Sequence, residues 1–583
     1  MWRKIRPHLP VIAGYAGLAI LMTWPLVRHI AAAYPSADAW YGGDPNMYIW
    51  YGDWLAKTLT GAMPIAADKM MNYPQGINPY GGYEGLLMTA VLVPVILIGH
   101  NPVLAYNIFI LLCFLAAAGA AYALCFRLTR SRLAAGIGGF IFGFSPYMMV
   151  RALQHPNLIM IATVPLLALA ALAFAERPTP AGAARLAGAV ILNALSSWYY
   201  HVGGLVFLAF VAVFHHRELV KRPRTALFGG LAALAAAALP ALPMLLSPTH
   251  GGRSYDLDFI RNLGAQPLNF ILPHPLTNVF GGLTAGWYNS FPSVYWSGPN
   301  IFEAVAYAGP LLLGLAVAAL WLRASVKAPL LSFWATVSVV FAVLALGVDV
   351  GLGPWRLPLP FALLRGLFPF SLVRGPGRFF VFALLGLTVL AAFTLARLRS
   401  TVKNRFYRAA GLTVLLALLA AERIILPYPL FTARVSEFYR EAGRDRAAYA
   451  IADLPLTYPG LSEYDYFQTV HGKPIVTGEF FYPAYSDDTL AFIARNGLLL
   501  QSVCRQDAPD EVVLPDRGTA LKEMAGIGVR FIVVHHLVLH NTPLCDYPRR
   551  LLQKFFAGDK PYFADGEITV YEVSALLRPP AER

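Results

Sequence analysis

Apolar runs of about 15 to 24 residues recur along the whole chain, near positions 11–28, 102–126, 133–150, 157–175, 186–200, 202–215, 226–246, 302–322, 329–349, 378–396 and 409–427. A helix needs about 20 such residues to cross the hydrocarbon core of a bilayer. The chain is therefore expected to be a polytopic α-helical membrane protein with about eleven transmembrane helices. The two runs flanking "SSWYYHVGG" are short and read as a tight hairpin with His201 at its apex. Composition agrees: 57% of the residues are hydrophobic and 13% charged, against about 25% charged in soluble proteins.

The net charge of +14 does not point to nucleic acid, because Lys and Arg fall in short clusters between apolar runs, the distribution of topology signals. A further run, 86–99, has 14 residues and contains Pro94. That length suits a re-entrant or amphipathic segment better than a span. With 86–99 left out, the clusters Arg3/Lys4/Arg6, Arg127/Arg130/Arg132, Arg217/Lys221/Arg222/Arg224, Arg323/Lys327 and Arg397/Arg399/Lys403/Arg405/Arg408 all fall on the side of the N-terminus, which marks that side as cytoplasmic. "MWRKIRPHLP" and the run after it lack an A-x-A-like cleavage site and read as a retained signal anchor.

The opposite face then receives the loop 29–101, the turn from Arg151 to Pro156, the loops 247–301 and 350–377, and everything after about residue 428. The expected organisation is a transmembrane domain, 1–427, and an extracytoplasmic α/β domain, 428–583. In the latter, "YAIADLPLTYPG", "HGKPIVTGEFF", "VRFIVVHHLVLH" and "GEITVYEV" read as short strands, interleaved with helical pieces such as "DDTLAFIARNGLLL". Cys504 and Cys545 lie in this outer part, where disulfides persist and a bridge between them is open, whereas Cys113 and Cys125 sit in an apolar helix.

Polar residues that could carry chemistry collect on the outer face. The first loop sets Asp38, Asp44 and Asp53 among Trp40, Tyr41, Tyr48, Trp50, Tyr51 and Trp54. A carboxylate at the mouth of a membrane cavity can serve as a general base, and aromatic faces suit sugar rings as well as the bilayer interface. "GDPNMYIW" places Asp44 as a helix N-cap with Pro45 at N1. Gly42 and Gly43 before it allow close backbone approach to a ligand, so Asp44 is the functional candidate and Asp53 a solvated or capping residue. "SPYMMVRALQHPN" supplies Arg151 and His155, and "HGGRSYDLDFIR" supplies Arg253, Asp256, Asp258 and Arg261. "LVRGPGRFF" carries Arg374 and Arg378, whose i, i+4 spacing suits one face of a helix start and an anionic phosphate. Single outer arginines also snorkel to lipid phosphates. Glu303, at the outer edge of the eighth run, is an ionisable group at an apolar boundary or a carboxylate complementing a helix dipole. No Walker loop, G-x-S-x-G, H-E-x-x-H or paired C-x-x-C occurs. His535 and His536 would point to opposite faces of a strand and make a poor metal site.

Taken with the topology, the phrases "GGDPNMYIW", "NYPQGINP", "FGFSPYMMVRALQHPNL", "LVRGPGRFF" and "YFQTVHGKPIVTG" resemble the GT-C superfamily of integral-membrane glycosyltransferases, in its bacterial YfhO-like or dolichyl-phosphate-mannose-transferase-like group. The resemblance implies an inverting glycosyltransferase of the bacterial inner membrane. Its donor would be a polyprenyl-phosphate sugar and its acceptor a cell-envelope glycan or lipid, with membrane lipids around it and no nucleic-acid partner. By position the implied base is Asp44, with Asp38 as the alternative. The donor phosphate would fall to Arg374, Arg378, Arg151 and Arg261, and substrate contacts to Trp40, Tyr48, His155, His201 and Glu303. The first loop has no D-D or E-x-D pair, so a divalent cation stays open and no other cofactor is implied. A lipid-linked sugar transporter or flippase, or a non-catalytic envelope-assembly scaffold, are the alternative functions.

Overall fold

A computed structural model describes residues 6–38, 42–61, 67–76, 86–242, 256–291, 300–303, 305–321, 328–352, 354–402, 404–456, 460–478, 487–505 and 508–578. Every apolar run contains a helix. Among the described residues, five helices are long and apolar enough to cross a bilayer: Pro102–Thr129, Arg132–Gln154, Pro156–Glu176, Ala328–Ala345 and Pro376–Arg399. The remaining runs hold shorter helices, from the 12 residues of Pro310–Trp321 to the 17 of Arg405–Ala421. At 1.5 Å per residue, 17 residues cover about 26 Å, a few ångströms less than the hydrocarbon core. The protein is an integral membrane protein whose expected spans divide into five full-length helices and six shorter ones. The run 86–99 is a helix, Leu86–Gly99, with Pro94 inside it.

Small residues let the helices approach closely, as membrane helix packing requires. A Cβ at Gly143 would come within 2.6 Å of the Ala118 backbone nitrogen, so the Pro102–Thr129 and Arg132–Gly143 helices meet with little side chain between them. The Pro376–Arg399 span is central, with 89% of its apolar window buried. Two spans carry arginine near both ends: Arg132 and Arg151 on one, Arg378 and Arg399 on the other. The helical rise separates Arg378 from Arg399 by about 30 Å, the thickness of the hydrocarbon core.

After residue 430 the chain builds a four-stranded sheet. Ala450–Leu454 runs parallel to Val529–His535, which pairs antiparallel with Ile568–Glu572, which pairs in turn with Phe563–Ala564. Alternate residues of a strand face opposite ways, and here both faces are covered. Ile451, Phe531, Val533, Ile568 and Val570 join the apolar cluster of the membrane helices. Ala450, Ala452, Leu454, Ile532 and Val534 join a second cluster with helices of the C-terminal region. The first loop is sewn to this region: Tyr34–Pro35 pairs with Leu430–Phe431, Trp50 donates to Gln468, Lys57 Nζ donates to the Thr469 carbonyl at 3.0 Å, and Ile475 and Met70 are joined backbone to backbone.

Cys504 and Cys545, 41 residues apart, form a disulfide. Closing a loop of that length contributes ~4 kcal/mol by restricting the unfolded chain. Cys504→Ser with Cys545→Ser is expected to lower the unfolding midpoint of the purified protein under oxidising conditions, and to leave it unchanged where reductant has already opened the wild-type bridge.

Candidate functional site

Four of the singled-out residues meet in one buried cluster. Ser145 caps the Pro146–Gln154 helix through its Oγ, with Pro146 at N1, the local pattern that restarts a helix. This second helical segment carries Arg151 inward and ends at His155. Glu303 lies between the Arg151 and Arg378 guanidinium groups. Its Oε2 accepts from Arg151 Nη1 at 3.0 Å and its Oε1 from Arg378 Nη2 at 2.8 Å. Arg151 Nη2 also donates to the Glu303 carbonyl at 3.3 Å. The side chains of Arg151 and Glu303 are each 1% exposed, and that of Arg378 is 3% exposed.

His155 closes the cluster. Its Nε2 lies 3.3 Å from Glu303 Oε1 and its Nδ1 lies 3.2 Å from Arg151 Nη1. A neutral ring protonated on Nε2 satisfies both contacts, donating to the carboxylate and accepting from the guanidinium. The electrostatics agree: burial pushes the His155 pKa down, with Glu303 opposing. Burial alone would raise the Glu303 carboxyl, but Arg378, Arg151 and His155 outweigh it and hold it well below the usual carboxylate range. Two guanidinium ions thus share one carboxylate beside a neutral imidazole. Aromatic faces line it, with Tyr199 4.2 Å from the Arg378 guanidinium and Tyr147 5.4 Å from that of Arg151.

Asp44 stands beside this cluster. It occupies the N-cap of the Pro45–Leu59 helix with Pro45 at N1, and its carboxylate makes no capping hydrogen bond. The two glycines before it have φ of +77° and +64°, a region that suits glycine. A Cβ at Gly43 would stand 3.0 Å from Gln154 Nε2. The loop therefore lies directly against the helix that carries Arg151, and the Asp44 charge acts on His155. Asp38 takes another direction. Its backbone nitrogen donates to Ser36 Oγ at 2.9 Å, and its charge acts on Glu463, a buried carboxyl raised well above the usual range by burial and then by Asp38.

Several expectations need correction. Arg374 and Arg378 do not share a helical face: Gly375, Pro376 and Gly377 separate them, with Arg374 in a bend and Arg378 in the Pro376–Phe379 3₁₀ turn. Arg261 lies outside the cluster, its Nη2 2.7 Å from Asp349 Oδ2, with Asp258 as a second partner. His201 is not at a hairpin apex: the turn falls at Ser197, and His201 is buried in the first turn of Trp198–Phe214 against Trp198. Tyr48 is buried in the core. Asp53 is buried rather than solvated, 2.5 Å from Lys57 Nζ, and burial raises its carboxyl despite that partner. His535 ends its strand and His536 starts a helix. Trp40 and Arg253 lie outside the described residues. Among the described residues no group of three or more His, Cys, Asp and Glu side chains is placed to hold a metal ion.

Sequence reasoning passed over a second buried polar group, on the membrane-facing side of the C-terminal sheet. His535 Nε2 lies 2.9 Å from Asp453 Oδ1, and the Tyr439 hydroxyl contacts both. The available signal was an aspartate inside the apolar run "YAIADLPL".

The fold is similar to that of solved membrane glycosyltransferases. The structure is similar to that of the arabinofuranosyltransferase AftD from Mycobacteria, with a TM-score of 0.54 and 14% identity over 96% of this chain and 40% of that one. The chain thus spans about two-fifths of AftD. ArnT from Cupriavidus metallidurans, in a crystal structure with undecaprenyl phosphate, aligns over 97% of this chain and 99% of its own at 11% identity and a TM-score of 0.42. No curated protein matches the sequence. The chain belongs to the family described as "Domain of unknown function (DUF6311)", whose profile matches residues 90–421.

Proposed function

We propose that the protein transfers a sugar from a polyprenyl-phosphate donor to a hydroxyl of a cell-envelope acceptor. One observation carries the reading: a buried cluster in which Arg151 and Arg378 share Glu303 stands beside Asp44 at the start of the Pro45–Leu59 helix. The likeness of fold to an arabinofuranosyltransferase supports it. Arginine's planar fork suits phosphate, and Arg151 Nε is buried with no acceptor among the described residues, leaving a donor for a ligand oxygen.

In this mechanism Arg151 and Arg378 hold the donor phosphate, and Asp44 takes the proton from the acceptor hydroxyl. The hydroxyl oxygen attacks the anomeric carbon as the carbon–oxygen bond to phosphate breaks, inverting the centre. The pair leaves as polyprenyl phosphate, stabilised by the same arginines. Glu303 and His155 become positioning residues that hold the guanidinium groups, and Arg261 leaves the site. Asp38, set against Glu463, is a poorer base than Asp44. The reading places this face of the membrane outside, with the N-terminus cytoplasmic and the C-terminal sheet over the acceptor side.

The donor half is tested with detergent-purified protein and undecaprenyl phosphate, read by native mass spectrometry. Wild type is expected to retain the lipid, and Arg378→Gln to bind it at least tenfold more weakly with an unchanged fold. Equal retention by both overturns the phosphate assignment.

A further inference from the structure

At the other end of the same two spans, basic residues distant in sequence converge. Arg130, Arg132, Arg399 and Arg408, all four exposed, line one open surface cleft of about 650 Å³ together with Phe126 and Leu133. The first pair comes from the turn between Pro102–Thr129 and Arg132–Gly143. The second comes from the end of Phe380–Thr401 and the start of Arg405–Ala421. A topology signal requires only that such residues lie on one side of the membrane; it does not require the two clusters to close on a shared cavity.

Four exposed like charges around one cleft raise the local positive potential and favour an anion there. No described carboxylate forms an ion pair with any of the four arginines, although the neighbouring Arg127 pairs with Glu176 at 2.7 Å. Two helices begin at this cavity, Arg132–Gly143 and Arg405–Ala421, and their N-terminal ends also favour an anion. The cavity lies about 30 Å along the spans from the Arg151–Arg378 cluster, hence at headgroup depth on the opposite membrane face. Phe126 and Leu133 give it an apolar margin.

We infer that this cavity binds the phosphodiester headgroup of an anionic phospholipid. Basic pockets between membrane helices hold such headgroups by charge, with acyl chains left along the apolar helix surface. The inference is independent of the proposed glycosyl transfer, because it uses neither Asp44 nor the Arg151–Glu303–Arg378 cluster.

The full chain in detergent is titrated with phosphatidylglycerol, with phosphatidylcholine and with inorganic phosphate, and retained ligand is counted by native mass spectrometry. Phosphatidylglycerol is expected to bind at least tenfold more tightly than phosphatidylcholine. Arg399→Gln with Arg408→Gln should weaken it by about thirtyfold, the share of two arginines near a membrane surface, and Arg130→Gln with Arg132→Gln by a similar factor. Equal binding of the two lipids by wild type overturns the inference whether or not the variants fold. Undiminished phosphatidylglycerol binding by both folded double variants also overturns it. Inorganic phosphate that binds as tightly as phosphatidylglycerol and displaces it would assign the cavity to a soluble phosphate and sink the lipid.

Discussion

Glu303→Gln is expected to destabilise the protein by about 3–5 kcal/mol, the cost of breaking a buried ion pair from one side. The carboxylate is the counter-charge shared by Arg151 and Arg378 and the acceptor for His155. Its neutral replacement leaves two guanidinium groups buried together, so the damage exceeds the loss of the hydrogen bonds themselves. Thermal unfolding of the detergent-purified variant measures it, and a loss below ~1 kcal/mol would mean that the arginines are not dependent on Glu303. Glu303→Gln combined with Arg378→Met should recover part of the loss, because one of the two buried positive charges is gone. Acid acts in the same sense. Glu303 has a depressed carboxyl pKa in the folded protein, so its contribution is complete above the unfolded value of about 4.5 and is lost as pH falls through the folded one. His155, also depressed, adds a loss of stability as pH falls below about 6.5, where the unfolded ring takes up a proton that the folded one refuses.

Asp44→Asn is expected to remove sugar transfer by about a hundredfold to ten-thousandfold, the usual contribution of a general base, while leaving folding and donor binding intact. The substitution is nearly isosteric and keeps an oxygen acceptor at the same position. Membranes holding the variant would be given radiolabelled polyprenyl-phosphate sugar and envelope acceptor, with undecaprenyl phosphate retention as the control. Full transfer by Asp44→Asn would remove Asp44 from the mechanism. If Asp38→Asn alone were inactive, the base would lie nearer Glu463 and the C-terminal sheet. Loss of transfer with retained donor binding separates this prediction from the Glu303 one, which changes stability first.

Much of the site could be read in sequence as a set of residues, but not as a constellation. Arg151 and His155 stand out in sequence as polar groups on the outer face, Arg378 as a phosphate candidate beside Arg374, and Glu303 as an ionisable group at the edge of an apolar run. Their sharing of one carboxylate could not be read, since Glu303 is remote from Arg151 along the chain and only helix packing brings them together. The i, i+4 spacing of Arg374 and Arg378 misled because "RGPG" between and around them interrupts the helix that such spacing assumes. Asp53 misled for the opposite reason: polar residues on a short helix read as solvated, whereas this helix is covered by Gly460–His471 and Leu86–Gly99 on two sides.

The amino-acid sequence by itself determined that this chain is a membrane protein, because long apolar runs leave few other ways to bury a hydrogen-bonded backbone. It also determined that Asp44 starts a helix behind two glycines, because N-cap, Pro45 and positive φ are properties of neighbouring residues. Tertiary structure alone decided which charges meet. Arg151 and Arg378 close on Glu303 at one end of two spans, and Arg130, Arg132, Arg399 and Arg408 close on a cavity at the other. The reason is physical: helix formation is settled within a few turns of chain, whereas charge pairing depends on distances between helices that only the packed bundle sets.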